Sequence, residues 1–362
     1  MSQFLSDHLD SLLPYVPGEQ LHVENLLKLN TNEHAYGPSP KAIAAIQSAA
    51  TDTLRLYPDY QALELRQAIA KVHGLSIDNI FVGNGSDEIL AHIFSALFLR
   101  DGRKLLLPDI SYSFYTTYCR YYQVPFEIVP LADDFRIRVE DYTKARSPAP
   151  VGILFANPNA PTSLLLSLSD IERMLDANPD SVVVVDEAYI DFGGESAIAL
   201  VQRYPNVVVV QTLSKSYALA GLRVGFAVAS KEIVAGLVKV KDSFNSYPLD
   251  ALAQAGAAAA ISDQAYLKQA SQKIIDARQT LSTQLESLGF SVLPSHTNFV
   301  FASHPDYNAA SLQRALRERG VLVRHFAQGR IQDYLRITVG TPEQCDRLIT
   351  TLTSVMDSKT RK

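Results

Sequence analysis

Cysteine is scarce in this chain. Its two residues, Cys119 and Cys345, lie far apart and form no Cys-x-x-Cys pair. A disulfide framework is therefore not expected, and a reducing compartment, the cytoplasm, fits the composition. Long apolar runs are also missing, and none reaches the ~18 residues of a membrane span. The first twenty residues carry Asp7, Asp10 and Glu19 around no apolar centre, so no signal peptide is expected. Positive charge is not in excess: 33 Lys and Arg against 38 Asp and Glu leave a net charge of -5. With no basic stripe, nucleic acid is not an expected partner. The eight histidines, among them His73, His92, His296 and His325, show no metal-ligand spacing, so no metal is expected. No Gly-x-Ser-x-Gly elbow points to a hydrolase, and neither a Walker loop nor a Rossmann fingerprint is present.

What the chain does contain is a rhythm. Its 362 residues, 47% hydrophobic and 20% charged, suit about two globular domains. Short apolar runs at 80–83, 104–107, 152–155, 182–185, 207–210 and 224–228 read as strands without polar alternation, as in a sheet covered on both faces. Helical patterns lie between several of them, at 86–98 and 169–177. The expectation is an α/β fold: a large domain with a mostly parallel central sheet and helices on both faces. Residues 1–30, with Pro14, Pro17 and Gly18, read as an N-terminal arm. The large domain is expected over 31–250, its first part joining the smaller unit. A smaller α+β domain is expected over 251–362, with helices at 251–261, 264–288 and 309–319 and strands at 299–301 and 335–339.

The chemistry concentrates at strand ends. After Val207–Val210 comes Thr212-Leu213-Ser214-Lys215-Ser216, with Arg223 eight residues beyond the lysine and beside glycines. A lysine there can form a Schiff base with an aldehyde cofactor while the arginine holds its phosphate, the pattern of pyridoxal 5'-phosphate (PLP). Asp186 follows another valine run, where ligands of open α/β sheets sit, and can pair with a protonated ring nitrogen. Tyr189 can donate to the ring's phenolic oxygen. Gly85-Ser86-Asp87 joins a strand to a helix whose free amides suit a phosphate. Asn157-Pro158-Asn159 makes a stiff turn after a strand; an amide there contacts a ring or serves only as loop punctuation. Arg324 and Arg336 in the smaller domain suit carboxylates or phosphates by bidentate geometry.

Taken in order, these segments resemble the PLP-dependent aminotransferases of fold type I. The resemblance runs from Leu29-Asn30-Thr31-Asn32-Glu33 through Arg55-Leu56-Tyr57-Pro58, the Gly85 turn, Pro108 to Tyr112 and Asp186-Glu187-Ala188-Tyr189 to the Lys215 segment. It closes with Thr297-Asn298-Phe299, Gly320 to Arg324 and Leu335 to Thr341. The first and last of these favour the branch that exchanges an amino group between L-histidinol phosphate and 2-oxoglutarate, giving imidazole-acetol phosphate and glutamate in histidine biosynthesis. Threonine-phosphate decarboxylases and aromatic amino-acid aminotransferases share the pattern and stay open as alternatives.

The resemblance implies roles. Lys215 would bind the cofactor covalently and then move the proton, with Asp186 at the ring nitrogen, Tyr189 at the phenolic oxygen and Tyr112 stacked on the ring. Gly85, Ser86, Asp87, Ser214 and Arg223 would hold its phosphate, and Tyr57 would reach that phosphate from the neighbouring subunit of a homodimer. Arg336 would take the glutamate carboxylate. Arg324, with Tyr15 from the partner's arm, would hold the substrate phosphate, and Asn32 would line the substrate pocket. Ala160 stands where the family has a ring-binding asparagine, leaving Asn159 to substitute. Ser163 replaces a usual glycine, and His34-Ala35 replaces Asn-Pro.

Overall fold

The structure, a computed structural model, describes residues 4–15, 18–19, 25–100 and 102–358. The larger of its two sheets has seven strands: β2 (Ile80–Asn84), β3 (Leu105–Pro108), β4 (Phe126–Val129), β5 (Gly152–Ala156), β6 (Val182–Asp186), β7 (Val207–Thr212) and β8 (Val224–Ala229). Their order is β2-β8-β7-β6-β5-β3-β4. Every pairing from β7 to β4 is parallel, whereas β8 runs antiparallel to both its neighbours. The mostly parallel expectation holds, with one reversed strand near the edge.

The valine runs explain why both faces are covered. Val183, Val185, Val207 and Val209 point into one core with Leu65, Ile69, Ile171 and Ala257. Val184, Val208 and Val210 point into the opposite core with Ile89, Leu90, Tyr115 and Leu237. All seven valines are fully buried. Each stabilises the fold by roughly 1.5–3 kcal/mol relative to exposure, so a polar residue on either face would be a net loss.

The smaller sheet has five strands, β1 (Leu27–Leu29), β9 (Ser291–Val292), β10 (Phe299–Ser303), β11 (Val321–His325) and β12 (Tyr334–Thr338), in the order β1-β11-β12-β10-β9. The end of the expected arm is thus a strand, since β1 pairs in parallel with β11. The helix Ala251–Ser262 carries Ala253, Ala257 and Ile261 into the core of the large sheet. On that packing we propose the division between the two parts at 262–263 instead of 250–251. The helix expected over 86–98 runs as Gly85–Ile93 and then widens into a π turn, Phe94–Phe98.

A small apolar cluster ties the parts together: Ile110, Leu131, Phe135 and Leu164 pack with Phe301 and Ile331. Beside it, Arg330 donates to the Leu131 carbonyl at 3.0 Å and lies 5.1 Å from the Phe135 ring centroid. Among the described residues, no helix is long and apolar enough to cross a membrane.

Candidate active site

The parallel strands β3, β5, β6 and β7 end on one side, and a cavity of about 350 Å³ opens there. Its wall includes Ser86, Asp87, Tyr112, Asp186, Tyr189, Ser214, Lys215 and Arg223 from the large part, with Asn32, Arg324 and Arg336 around the smaller sheet. This is the site expected for an open α/β sheet.

Asp186 is the last residue of β6 and is 5% exposed. Its Oδ2 accepts from the Tyr115 hydroxyl at 2.7 Å and its Oδ1 from the Ala188 amide at 3.2 Å. Burial pushes the acid up to about 6 against the pull of those two donors, with Asp87 raising it further and Lys215 lowering it. Such a carboxylate favours a cation set against it. Lys215 sits in the turn after β7, half-buried, its ammonium 3.5 Å from the Thr31 carbonyl and 5.8 Å from the Tyr189 ring centroid. That turn is closed by the Leu219 amide on the Leu213 carbonyl and the Ala218 amide on the Lys215 carbonyl.

The anion cradle lies beside them. Gly85 adopts φ +77°, and a Cβ there would sit 2.6 Å from Nη2 of Arg223. Only glycine lets the turn and the guanidinium approach so closely. The helix it opens has no side-chain cap, which leaves first-turn amides for a ligand. Arg223 is held by Asp87 Oδ2 at 3.1 Å and by Ser214 Oγ at 3.4 Å. The Asp87 carboxylate is committed to Arg223 and to the Tyr112 hydroxyl at 3.3 Å, so its contribution to an anion is its backbone amide. A glycine turn, free amides, an arginine and a serine fit a phosphate. The acid and the amine lining the same cavity fit a pyridine aldehyde.

At the small-sheet side, Arg324 and Arg336 are Cα partners across β11 and β12. Arg336 lies between the rings of Phe299 and Phe326, at 5.4 and 5.5 Å, and donates to the Asn30 carbonyl at 3.0 Å. Its Nε is buried with no hydrogen-bond partner. Burial holds the guanidinium below its usual range. An anion supplies both the missing acceptor and the missing charge. Asn32, at φ +56°, gives Nδ2 to the Tyr189 hydroxyl at 2.9 Å and takes the Thr338 hydroxyl on Oδ1 at 3.1 Å.

Two expectations need amending. Asn159 turns away from the cavity: Nδ2 donates to the Ile110 carbonyl and to Thr162, and Oδ1 accepts from Ser111. Its amide is spent on fixing the turn, with no hydrogen left for a ring. Tyr15, expected from a partner's arm, lines this chain's own cavity, because its ring packs on Phe114 at 5.2 Å and on Tyr112 at 5.9 Å. Tyr57, whose expected contact is with the cradle of a neighbouring subunit, lies outside this chain's cavity wall, is 83% exposed and stacks on Tyr247 at 4.8 Å.

Sequence reasoning missed Tyr115. Its signal was the spacing of three: Tyr112, Tyr115 and Tyr118 lie along one side, the first two donating to the carboxylates of Asp87 and Asp186 and the third to the Asp87 backbone carbonyl. Thr338 and Asn298, which hold Asn32 from β12 and the start of β10, were missed as well.

Known proteins give the site a context. The model of the family described as aminotransferase class I and II matches residues 24–352. The chain is 57% identical over 358 residues to histidinol-phosphate aminotransferase 1 of Bordetella parapertussis, covering 99% of this chain and 100% of that protein. It is 57% identical over 352 residues to histidinol-phosphate aminotransferase 1 of Pseudomonas aeruginosa, covering 97% and 99%. Among solved structures, it is similar to histidinol-phosphate aminotransferase from Sinorhizobium meliloti in complex with pyridoxal-5'-phosphate, with a TM-score of 0.87, 26% identity and 99% of each chain covered.

Proposed function

The chain belongs to the class I and II aminotransferases, and within them to the histidinol-phosphate aminotransferase family, and from that premise we propose that it exchanges the amino group between L-histidinol phosphate and 2-oxoglutarate, using PLP. The observation that carries this reading is one cavity with a lysine, a buried acid and a phosphate cradle on the large-sheet side and two register-paired arginines on the other.

PLP supplies, when bound, an electron sink that makes the proton on the substrate's amine-bearing carbon removable. The protein's residues do the rest. Lys215 would hold the cofactor through its side-chain amine and would take and return that proton. Gly85, Ser86, Ser214 and Arg223 would bind the phosphate, assisted by the Asp87 amide. Asp186 would accept from the ring nitrogen, and Tyr112 would cover the ring's face. Tyr189, steadied by Asn32, would donate to the ring oxygen.

Two substrates must share the pocket, a dicarboxylate and an imidazole phosphate. Arg336 takes the carboxylate of glutamate, and Arg324 with Tyr15 takes the substrate phosphate. Guanidinium groups bind both anions through the same two-pronged geometry, which lets one pocket serve both.

The reading includes a cytoplasmic homodimer. Leu54, Leu56, Tyr57, Phe244 and Tyr247 are all exposed, Phe244 at 78%, and a second copy that covers this surface brings Tyr57 to a neighbouring phosphate cradle. Both cysteines are free and buried, in keeping with a reducing compartment. The test is an assay of purified enzyme with glutamate and imidazole-acetol phosphate. Formation of 2-oxoglutarate in proportion to L-histidinol phosphate is expected. Release of CO2 from threonine phosphate without that exchange would transfer the assignment to a decarboxylase of the same fold.

A further inference from the structure

Two groups of the chain reach the Asp186 carboxylate. Tyr115 donates to Oδ2 at 2.7 Å and the Ala188 amide to Oδ1 at 3.2 Å. Tyr115 is 1% exposed and comes from the helix Phe114–Tyr121, packed on the same face as Val208 and Val210. The titratable groups that face this pair are Asp87 from the helix Gly85–Ile93, Lys215 from the turn after β7, and the phenols of Tyr112 and Tyr189. Asp87 opposes a charge on Asp186 and Lys215 favours it. The bond from Tyr115 is the shorter of the two donors, and none of the roles assigned above uses it.

We propose that Tyr115 is a positioning residue that keeps Asp186 an ionised acceptor, so that the shared proton rests on the PLP ring nitrogen and not on the carboxylate. The inference rests on the PLP-dependent reading. A carboxylate and a pyridine nitrogen compete for one proton, and the stronger base holds it. Each donor to the carboxylate weakens it as a base. A hydrogen bond to a charged group shifts such an equilibrium by about 10- to 100-fold. Burial brings Asp186 up to about 6 even with Tyr115 in place, close to where a pyridine nitrogen titrates. Of the two donors that weaken this carboxylate as a base, Tyr115 makes the shorter bond, so its hydroxyl tips the competition toward the ring. Only a protonated ring draws electrons strongly, so the hydroxyl acts on the reaction without touching a substrate.

Tyr115→Phe removes the hydroxyl and keeps the ring that fills the core. The holoenzyme is loaded with PLP carrying nitrogen-15 in the ring, and its NMR shift is read in wild type and variant. The wild type is expected at the protonated position. The Phe variant should bind PLP in equal amount but move toward the neutral position, its protonated-to-neutral ratio falling about 10-fold or more. Its kcat with glutamate should fall in step while KM stays nearly unchanged. Loaded PLP with an unmoved nitrogen signal in the variant would overturn the proposal. Should the variant not load, carbon-13 labelling of aspartate carboxyls in wild-type holoenzyme decides: Asp186 at the ionised position supports the proposal, and at the protonated position it overturns it. Wild-type protein that takes up no PLP at all would instead remove the reading on which the inference stands.

Discussion

A carboxylic acid as enclosed as Asp186 is charged only at a cost. Raised to about 6 in the folded chain against 3.8 for a free acid, it binds more protons folded than unfolded between those values. Its contribution to stability is therefore full below about 3.8 and is lost as pH rises toward 6, by up to about 1.4 kcal/mol per pH unit. In cofactor-free protein, Asp186→Asn should gain on the wild type steadily as pH rises from 4 to 6, read by urea unfolding at several pH values. A gap independent of pH would mean that Asp186 is not strained by its burial. Asp186, Lys215 and Arg223 were legible in the sequence only together: each charge alone is ordinary, but an acid and a lysine just past two valine runs and an arginine beside glycines point to one ligand. Tyr115 was not, because a tyrosine in an apolar helix looks like core until its hydroxyl is seen to meet a carboxylate. Asn159 misled for the opposite reason: an amide at a strand end suggests a ligand, yet its hydrogens close their own turn.

Elements locate the cradle. Gly225 in β8 faces Gly83 across the antiparallel register and lies against the turn that opens the next helix. A Cβ on Gly225 would meet the Ser86 amide nitrogen at 2.5 Å and the Gly85 carbonyl carbon at 2.6 Å. Both neighbours are backbone, so the strand and the turn must separate. Gly225→Ala should cost about 1–3 kcal/mol by overpacking. It should also weaken PLP binding about tenfold, the equivalent of 1.4 kcal/mol, as amides and Arg223 lose their spacing. Thermal unfolding and PLP titration check both effects; unchanged PLP affinity would show that the cradle does not depend on this contact. The six core strands of the large sheet were legible because burial on both faces leaves uninterrupted apolar runs. Strands β1 and β9 were not, with three and two residues too short to set a pattern. Nor was β4, whose outer position leaves it only partly buried.

At the scale of the whole molecule, the site exists because two sheets meet. The large sheet supplies Lys215, Asp186 and the phosphate cradle; the smaller one supplies Arg324 and Arg336, and β1 returns Asn32 to the seam. The sequence showed each motif and not their meeting, since that depends on contacts such as Arg330 on the Leu131 carbonyl, far apart along the chain. The α/β class could be read from the strand–helix rhythm, whereas the packing of Ala251–Ser262 with the large sheet could not, because an alanine-rich helix suits any small gap.

The most direct measurement is the site of covalent attachment. Holoenzyme is treated with borohydride to fix the cofactor in place, digested, and mapped by mass spectrometry. The expected result is one phosphopyridoxyl group per chain, carried by Lys215. A label on any other lysine, or none on a protein that catalyses the exchange, would contradict the account.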